Sequence, residues 1–217
     1  MNRMTELAFT RLTTVLLGVF PFVVVLLNVV NHDHYSGVSQ AMSELALGPG
    51  GWLMAVAFTS MGVGIILVAR GIRVAVPRAR VVPGLLTIVG TLGIVSAIFR
   101  TNGEGQPDTT SSTIHLAAGL SMFLLMIVVL FTAAFTFRRD ADWRWFAGPT
   151  LVWAVLALAA FFLVPILGDA HFGLAQRSFV AVWLSWLLTM SVLLRRPSAG
   201  GAARMGSAAA VESAPAR

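Results

Sequence analysis

Two residue types are missing altogether from this 217-residue sequence: it has no cysteine and no lysine, so all 15 of its basic residues are arginine. Without cysteine there is no disulfide, no thiol nucleophile, no cysteine-held iron and no covalently attached c-type haem. Without lysine there is no Walker-type phosphate loop and no Schiff-base chemistry. No cofactor motif remains, and none is expected. Charge of either sign is scarce too: 11% of residues are charged against 57% hydrophobic, and the mean hydropathy is +0.84. That leaves too little polar surface to cover a water-soluble globule of this size, so the chain is expected to be embedded in lipid. The net charge of +6 and pI near 11.6 would suit a nucleic-acid binder. The arginines, however, sit in short clusters between long apolar runs instead of along one polar face, which fits membrane topology and leaves no nucleic-acid partner.

What is present is a series of apolar runs, at residues 13–30, 52–69, 82–99, 115–137, 148–167 and 178–194. Each is close to the roughly 20 residues that cross a hydrocarbon core as a helix, the only open-chain conformation that satisfies its own backbone there. The first run follows Arg3 and Arg11 like a signal peptide, but it is too long and leads into Asn31-His32-Asp33-His34 instead of a small-residue cleavage site. The expected fold is therefore all-α: an integral membrane bundle of six transmembrane helices, residues 13–194, between a cytoplasmic N-terminus (1–12) and a disordered cytoplasmic tail (195–217). The tail is rich in Ala, Gly, Ser and Pro and cannot bury enough apolar area to order itself.

Orientation follows from the arginines, which are retained on the cytoplasmic side during insertion. In a six-span threading only Arg100 and Arg177 fall on the side opposite to the other arginines. Both termini are then cytoplasmic. All four histidines (His32, His34, His115 and His171) and the acids Asp33, Glu44, Glu104, Asp108 and Asp169 gather on the outer side.

Within the bundle, Gly84, Thr87, Gly90, Thr91, Gly93 and Ala97 in the third run, with Ser60 and Gly64 in the second, form small-residue stripes suited to close helix packing. Pro165 is expected to bend the fifth run. Trp52, Trp143 and Trp145 fall at interfaces, and Trp153, Trp183 and Trp186 lie deeper as packing residues.

No Asp, Glu, Arg or His lies at the middle of a run, which disfavours an ion-coupled carrier or pump. Chemistry belongs at the outer rim, where three short loops must converge. His32 and His34 could start a zinc shell completed by His115, His171 or a carboxylate, although a His-x-His pair without a third ligand at recognisable spacing usually belongs to a solvated loop. No metal is assigned on that basis. Ser36, Ser39 and Ser43 with His115, Asp108 and Asp169 could form a hydrolytic set, but there is no nucleophile-elbow motif. A haem between two histidines is poorly placed, since only His115 begins a run. Val38, Met42 and Leu45 give a helical period ended by Gly48-Pro49, predicting a short outer interfacial helix with Ser39 and Ser43 on its polar side. Arg100 and Arg177 are each expected to pair with a carboxylate, Arg177 for instance with Glu44 or Asp169, and so tie the loops to the bundle; capture of an anion or lipid headgroup is the alternative.

The segments Ser39-Gln40-Ala41-Met42-Ser43-Glu44 before Gly51-Trp52-Leu53-Met54, Ile98-Phe99 and Pro107-Asp108 before His115, and His171-Phe172-Gly173-Leu174-Ala175-Gln176-Arg177 occur in an order that resembles the family labelled domain of unknown function 998, bacterial multipass membrane proteins. The likeness runs over residues 15–194. The resemblance implies the six-helix fold, a place in the bacterial plasma membrane, and polar family positions at Ser43, Glu44, Asp108, His115, Gln176 and Arg177; it implies no activity. After Phe99 this sequence reads Arg100-Thr101-Asn102, a departure from the proline and acid expected there.

Together these readings point to an outer polar cluster of Ser43, Glu44, Asp108, His115, Asp169, Gln176 and Arg177. A non-enzymatic binding or partner component, holding a small molecule or lipid, accounts for it best. A membrane-embedded hydrolase, with or without a metal, and an uncoupled small-molecule or lipid transporter are the alternatives. Oligomeric state is not legible.

Overall fold

The structure, a computed structural model, describes residues 3–103 and 105–194. The tail expected to be disordered, Arg195 and Arg196 included, and Glu104 lie outside the described residues. Six helices dominate: α1 (Arg3–Val30), α2 (Trp52–Ala75), α3 (Val81–Ile98), α4 (Thr110–Arg138), α5 (Arg144–Leu167) and α6 (Phe172–Leu193). A 3₁₀ helix, Met42–Leu47, here called the loop helix, lies between α1 and α2, and a single 3₁₀ turn, Asp169–His171, links α5 to α6. No strand occurs among the described residues.

α1 to α5 are long and apolar enough to cross a membrane. α6 has 22 residues but carries Gln176, Arg177 and several serines and threonines, which dilute its apolarity. The helices are apolar on nearly every face. Phe22, Val25, Leu116 and Ile166 point outward with more than half their surface exposed, while Leu17, Met61, Ile65, Phe179, Trp183 and Trp186 fill the interior. A helix apolar all round suits hydrocarbon on one side and protein on the other. This is the architecture of a multipass membrane protein.

Local chemistry sets the ends. α2 runs six residues past its apolar run, to Ala75, and stops before Pro77, whose ring disfavours helical backbone in the residue ahead of it. α4 starts five residues before its run because Thr109 caps it: the Thr109 hydroxyl accepts from the Ser112 amide at 3.1 Å. α5 continues through Pro165 to Leu167 and ends at Gly168, whose φ of +66° falls where side chains are disfavoured.

The helices pack largely as chain neighbours, with α1 closing against α2 and α6. α2 and α3 make the most extensive contact, and glycine explains it. A Cβ on Gly62 would lie 2.5 Å from the Gly90 carbonyl oxygen, and a Cβ on Gly90 equally close to that of Gly62. The small-residue stripe of α3 is thus split. Gly90 and Gly93 face α2, whereas Gly84, Thr87 and Thr91 are exposed. Gly62 is the partner on α2; Gly64 packs instead on Leu17 of α1.

The loop helix departs from its expected form in one respect. Helical geometry begins only at Met42, so Val38 and Ser39 lie outside it, and Met42, Ser43 and Leu45 are all buried. Ser43, expected on a polar face, is turned into the bundle because a 3₁₀ helix repeats every three residues and does not share the α period.

Candidate functional site

All four histidines lie at the end of the bundle formed by residues 31–51, 99–109 and 168–171. The first of these segments is fastened to α6. The Leu174 amide donates to the Val38 carbonyl at 2.9 Å, the Gln176 side-chain oxygen accepts from the Met42 amide at 2.8 Å, and Arg177 Nη1 donates to the carbonyls of Gln40 (3.1 Å) and Gly173 (3.0 Å). Arg177 Nη2 also donates to the hydroxyl of Tyr35, the chain's single tyrosine. Gly173 permits the approach: a Cβ there would lie 2.3 Å from the Gln40 carbonyl oxygen.

Glu44 serves the loop itself. One carboxylate oxygen accepts from the Ala41 amide (3.0 Å) and the other from Gln40 Nε2 (3.1 Å), closing the first turn of the loop helix. Arg177 and Glu44 therefore share Gln40 but do not pair. Among the described residues no carboxylate comes within ion-pair distance of Arg177, contrary to the pairing expected with Glu44 or Asp169. The reason is geometric: the folded-back loop offers Arg177 the Gln40 carbonyl and the Tyr35 phenol, α6 adds the Gly173 carbonyl, and these claim three of the five guanidinium donors. Burial pushes the Tyr35 phenol above its ordinary value of 10, only partly opposed by Arg177.

The expected cluster resolves into three compartments. A cleft of about 520 Å³ is lined by Ser39 and Glu44 from the first loop, Thr101, Asn102, Gln106 and Asp108 from the second, Ser112 at the start of α4, and Asp169 from the third. Glu44, Asp108 and Asp169 share it, and among the described residues no basic side chain lines it. A smaller cavity of about 40 Å³ lies inward of the loop helix and is lined by Ser43, Ser96, His115, Gln176 and Trp183 among apolar neighbours. Ser43 and Glu44, adjacent in sequence, thus belong to different compartments, with the loop helix as the wall between them. The third compartment, an apolar groove between α1 and α6, contains Arg177.

His115 ties α3 to α4. Its Nδ1 lies 2.8 Å from the Phe99 carbonyl and 3.1 Å from that of Ser96, so Nδ1 carries the proton. The ring meets Phe58 edge-on, with centroids 5.7 Å apart. These carbonyls belong to the last turn of α3, where the helix leaves acceptors unsatisfied. Trp183 is fully buried and its indole N–H has no partner among the described residues, whereas Trp186 donates to Thr150 at 3.3 Å and Trp153 to Ser185 at 2.9 Å.

The metal and hydrolytic alternatives are not assembled. His32 Nδ1 bonds the Val29 carbonyl (3.0 Å) and Nε2 pairs with Asp33 (3.1 Å), both side chains being exposed. Among the described residues no three His, Asp or Glu side chains converge as a metal shell would require. Ser43 shares a cavity with His115 without a hydrogen bond between them, and Asp108 and Asp169 lie across the loop helix in the cleft.

Sequence reasoning named neither Tyr35 nor Trp183 as part of the site. Tyr35 had one available signal, being the single tyrosine in an arginine-bearing loop end. Trp183 had none, since an unpaired indole shows only once its neighbours are placed.

An all-helical multipass membrane bundle, with its histidines gathered at one end, is the class that fold and site define. Within that class the chain belongs to the family described as protein of unknown function (DUF998), which matches residues 15–193. No curated protein and no solved structure matches it.

Proposed function

We propose that the chain is a six-span, non-enzymatic binding component of the bacterial plasma membrane that takes up a small solute in the cleft between its three loops. α6 is the sixth span on this reading. The histidine end faces outward, and both termini are cytoplasmic. The arginine clusters support that orientation, since Arg70, Arg73, Arg138, Arg139 and Arg144 all lie at the opposite end of their helices from the histidines. The loop helix then lies at the outer interface.

The observation that carries the reading is the convergence of all three loops on one cleft of about 520 Å³. That size falls within the range of small-molecule sites, roughly 300–1,000 Å³. Glu44, Asp108 and Asp169 give the lining a negative charge, with no basic side chain in that lining among the described residues, which favours a positively charged solute over an anion. Ser43, His115 and Gln176 support the wall from beneath, and Arg177 fastens it to α6.

Thermal unfolding of the purified protein against a panel of small amines, neutral polyols and carboxylates tests this. An amine is expected to raise the Tm by several degrees, with the shift lost in Asp108→Asn/Asp169→Asn while the unliganded Tm stays put. Stabilisation by carboxylates alone, or by none of the panel, contradicts it.

One observation favours uncoupled transport as a second reading: the loop helix, α4 and α6 each line both the cleft and the inner cavity, through Glu44 and Ser43, Ser112 and His115, and Phe172 and Gln176. Uptake of the stabilising amine into protein-containing vesicles, above that of empty ones, supports transport, and equal uptake rejects it.

A further inference from the structure

A groove of about 830 Å³ runs between α1 and α6, away from the cleft. Its wall is apolar along most of its length, with Phe20, Val24 and Val25 on α1 facing Val180, Ala181 and Leu184 on α6. Val25 and Val29 are about two-thirds exposed, so the groove opens sideways from the bundle, where a membrane protein meets hydrocarbon. At the loop end its character changes. Arg177, Asn28 and His32 enter the lining there.

Arg177 is half-buried at this position and has only neutral partners: two carbonyls and the Tyr35 hydroxyl. Those three bonds use two donors of Nη1 and one of Nη2, leaving Nε–H and the second Nη2–H for a ligand. A cation partly withdrawn from water, with no carboxylate at ion-pair distance among the described residues, gains from an anion that joins it. The Asp33 carboxylate is taken by His32 at 3.1 Å.

We infer that the α1–α6 groove is a binding site for one anionic glycerophospholipid, one of its two acyl chains lying along Val24, Val25 and Ala181 and its phosphate at Arg177. The volume accommodates an acyl chain, and the single charged end matches the single charged end of the lipid. A zwitterionic lipid fills the same groove but brings an ammonium toward Arg177. The site is separate from the acidic cleft and stands whether or not that cleft binds an amine.

Native mass spectrometry of the protein released from nanodiscs containing equal parts phosphatidylglycerol and phosphatidylcholine tests the assignment. The wild-type chain is expected to retain phosphatidylglycerol about fivefold over phosphatidylcholine, the scale set by one basic side chain near a lipid surface. Arg177→Gln is expected to retain both lipids equally. Because Arg177 also fastens the loop, Ala181→Trp serves as a second variant: it fills the groove from an exposed position and is expected to lose the bound lipid with the Tm preserved. Equal retention of the two lipids by the wild-type chain overturns the proposal. So does undiminished phosphatidylglycerol in a folded Ala181→Trp protein, or a dimer joined through this face that excludes lipid.

Discussion

Tyr35 shows how one side chain reports on the whole loop end. Burial holds its phenol above 10, while the unfolded chain titrates near 10. A raised folded-state value means that the native protein keeps its proton after the unfolded chain has lost it. Stability is therefore full below pH 10 and falls as pH rises from there through the folded value. With a single tyrosine in the chain, tyrosinate absorbance reads this site alone. Its midpoint should lie above 10 in the folded protein and return to about 10 in denaturant, and Tyr35→Phe should flatten the alkaline loss of stability. Arg177 teaches a complementary lesson. From sequence, a lone arginine near several acids suggests ion pairs, but the carbonyls a loop presents once folded are invisible in a string of letters, and these took the donors.

Among the elements, the contact between α2 and α3 is the most sharply constrained. Gly62→Ala or Gly90→Ala would place a methyl 2.5 Å from a carbonyl oxygen of the neighbouring helix, where backbone on both sides resists movement. Each should lower stability by about 1–3 kcal/mol, seen as a reduced Tm in detergent. Gly84→Ala meets nothing within 4 Å and should leave the Tm unchanged or slightly raised. The sequence makes a small-residue contact legible, since glycines at helical spacing have few other uses in a membrane helix. It does not reveal which face is used: Gly84 and Thr87 fit the stripe as well as Gly90 does, and only the rotation of α3 about its axis decides. The loop helix differs from its expected form for a related reason. Val38, Met42 and Leu45 satisfy an α period, but the segment begins at Met42 and winds as a 3₁₀ helix, which reassigns Ser43 to the interior.

At the scale of the whole molecule, the helical fold was legible because long apolar runs admit one backbone solution in lipid. Convergence of the three loops was expected from their short connections, and Glu44, Asp108 and Asp169 line one cleft. The division of the cluster was not legible. It depends on the loop helix standing between Ser43 and Glu44, a matter of tertiary packing.

An outward-facing cleft requires the loop end and the arginine end to lie on opposite sides of the membrane, and the absence of cysteine provides a clean background for testing this. Single cysteines at Gly105 and at Arg196, probed in intact cells with a membrane-impermeant maleimide, report the two faces directly. The Gly105→Cys protein is expected to be labelled in intact cells, and the Arg196→Cys protein only after the membrane is permeabilised. Labelling of both positions in intact cells, or of Arg196→Cys alone, would contradict an outward-facing cleft.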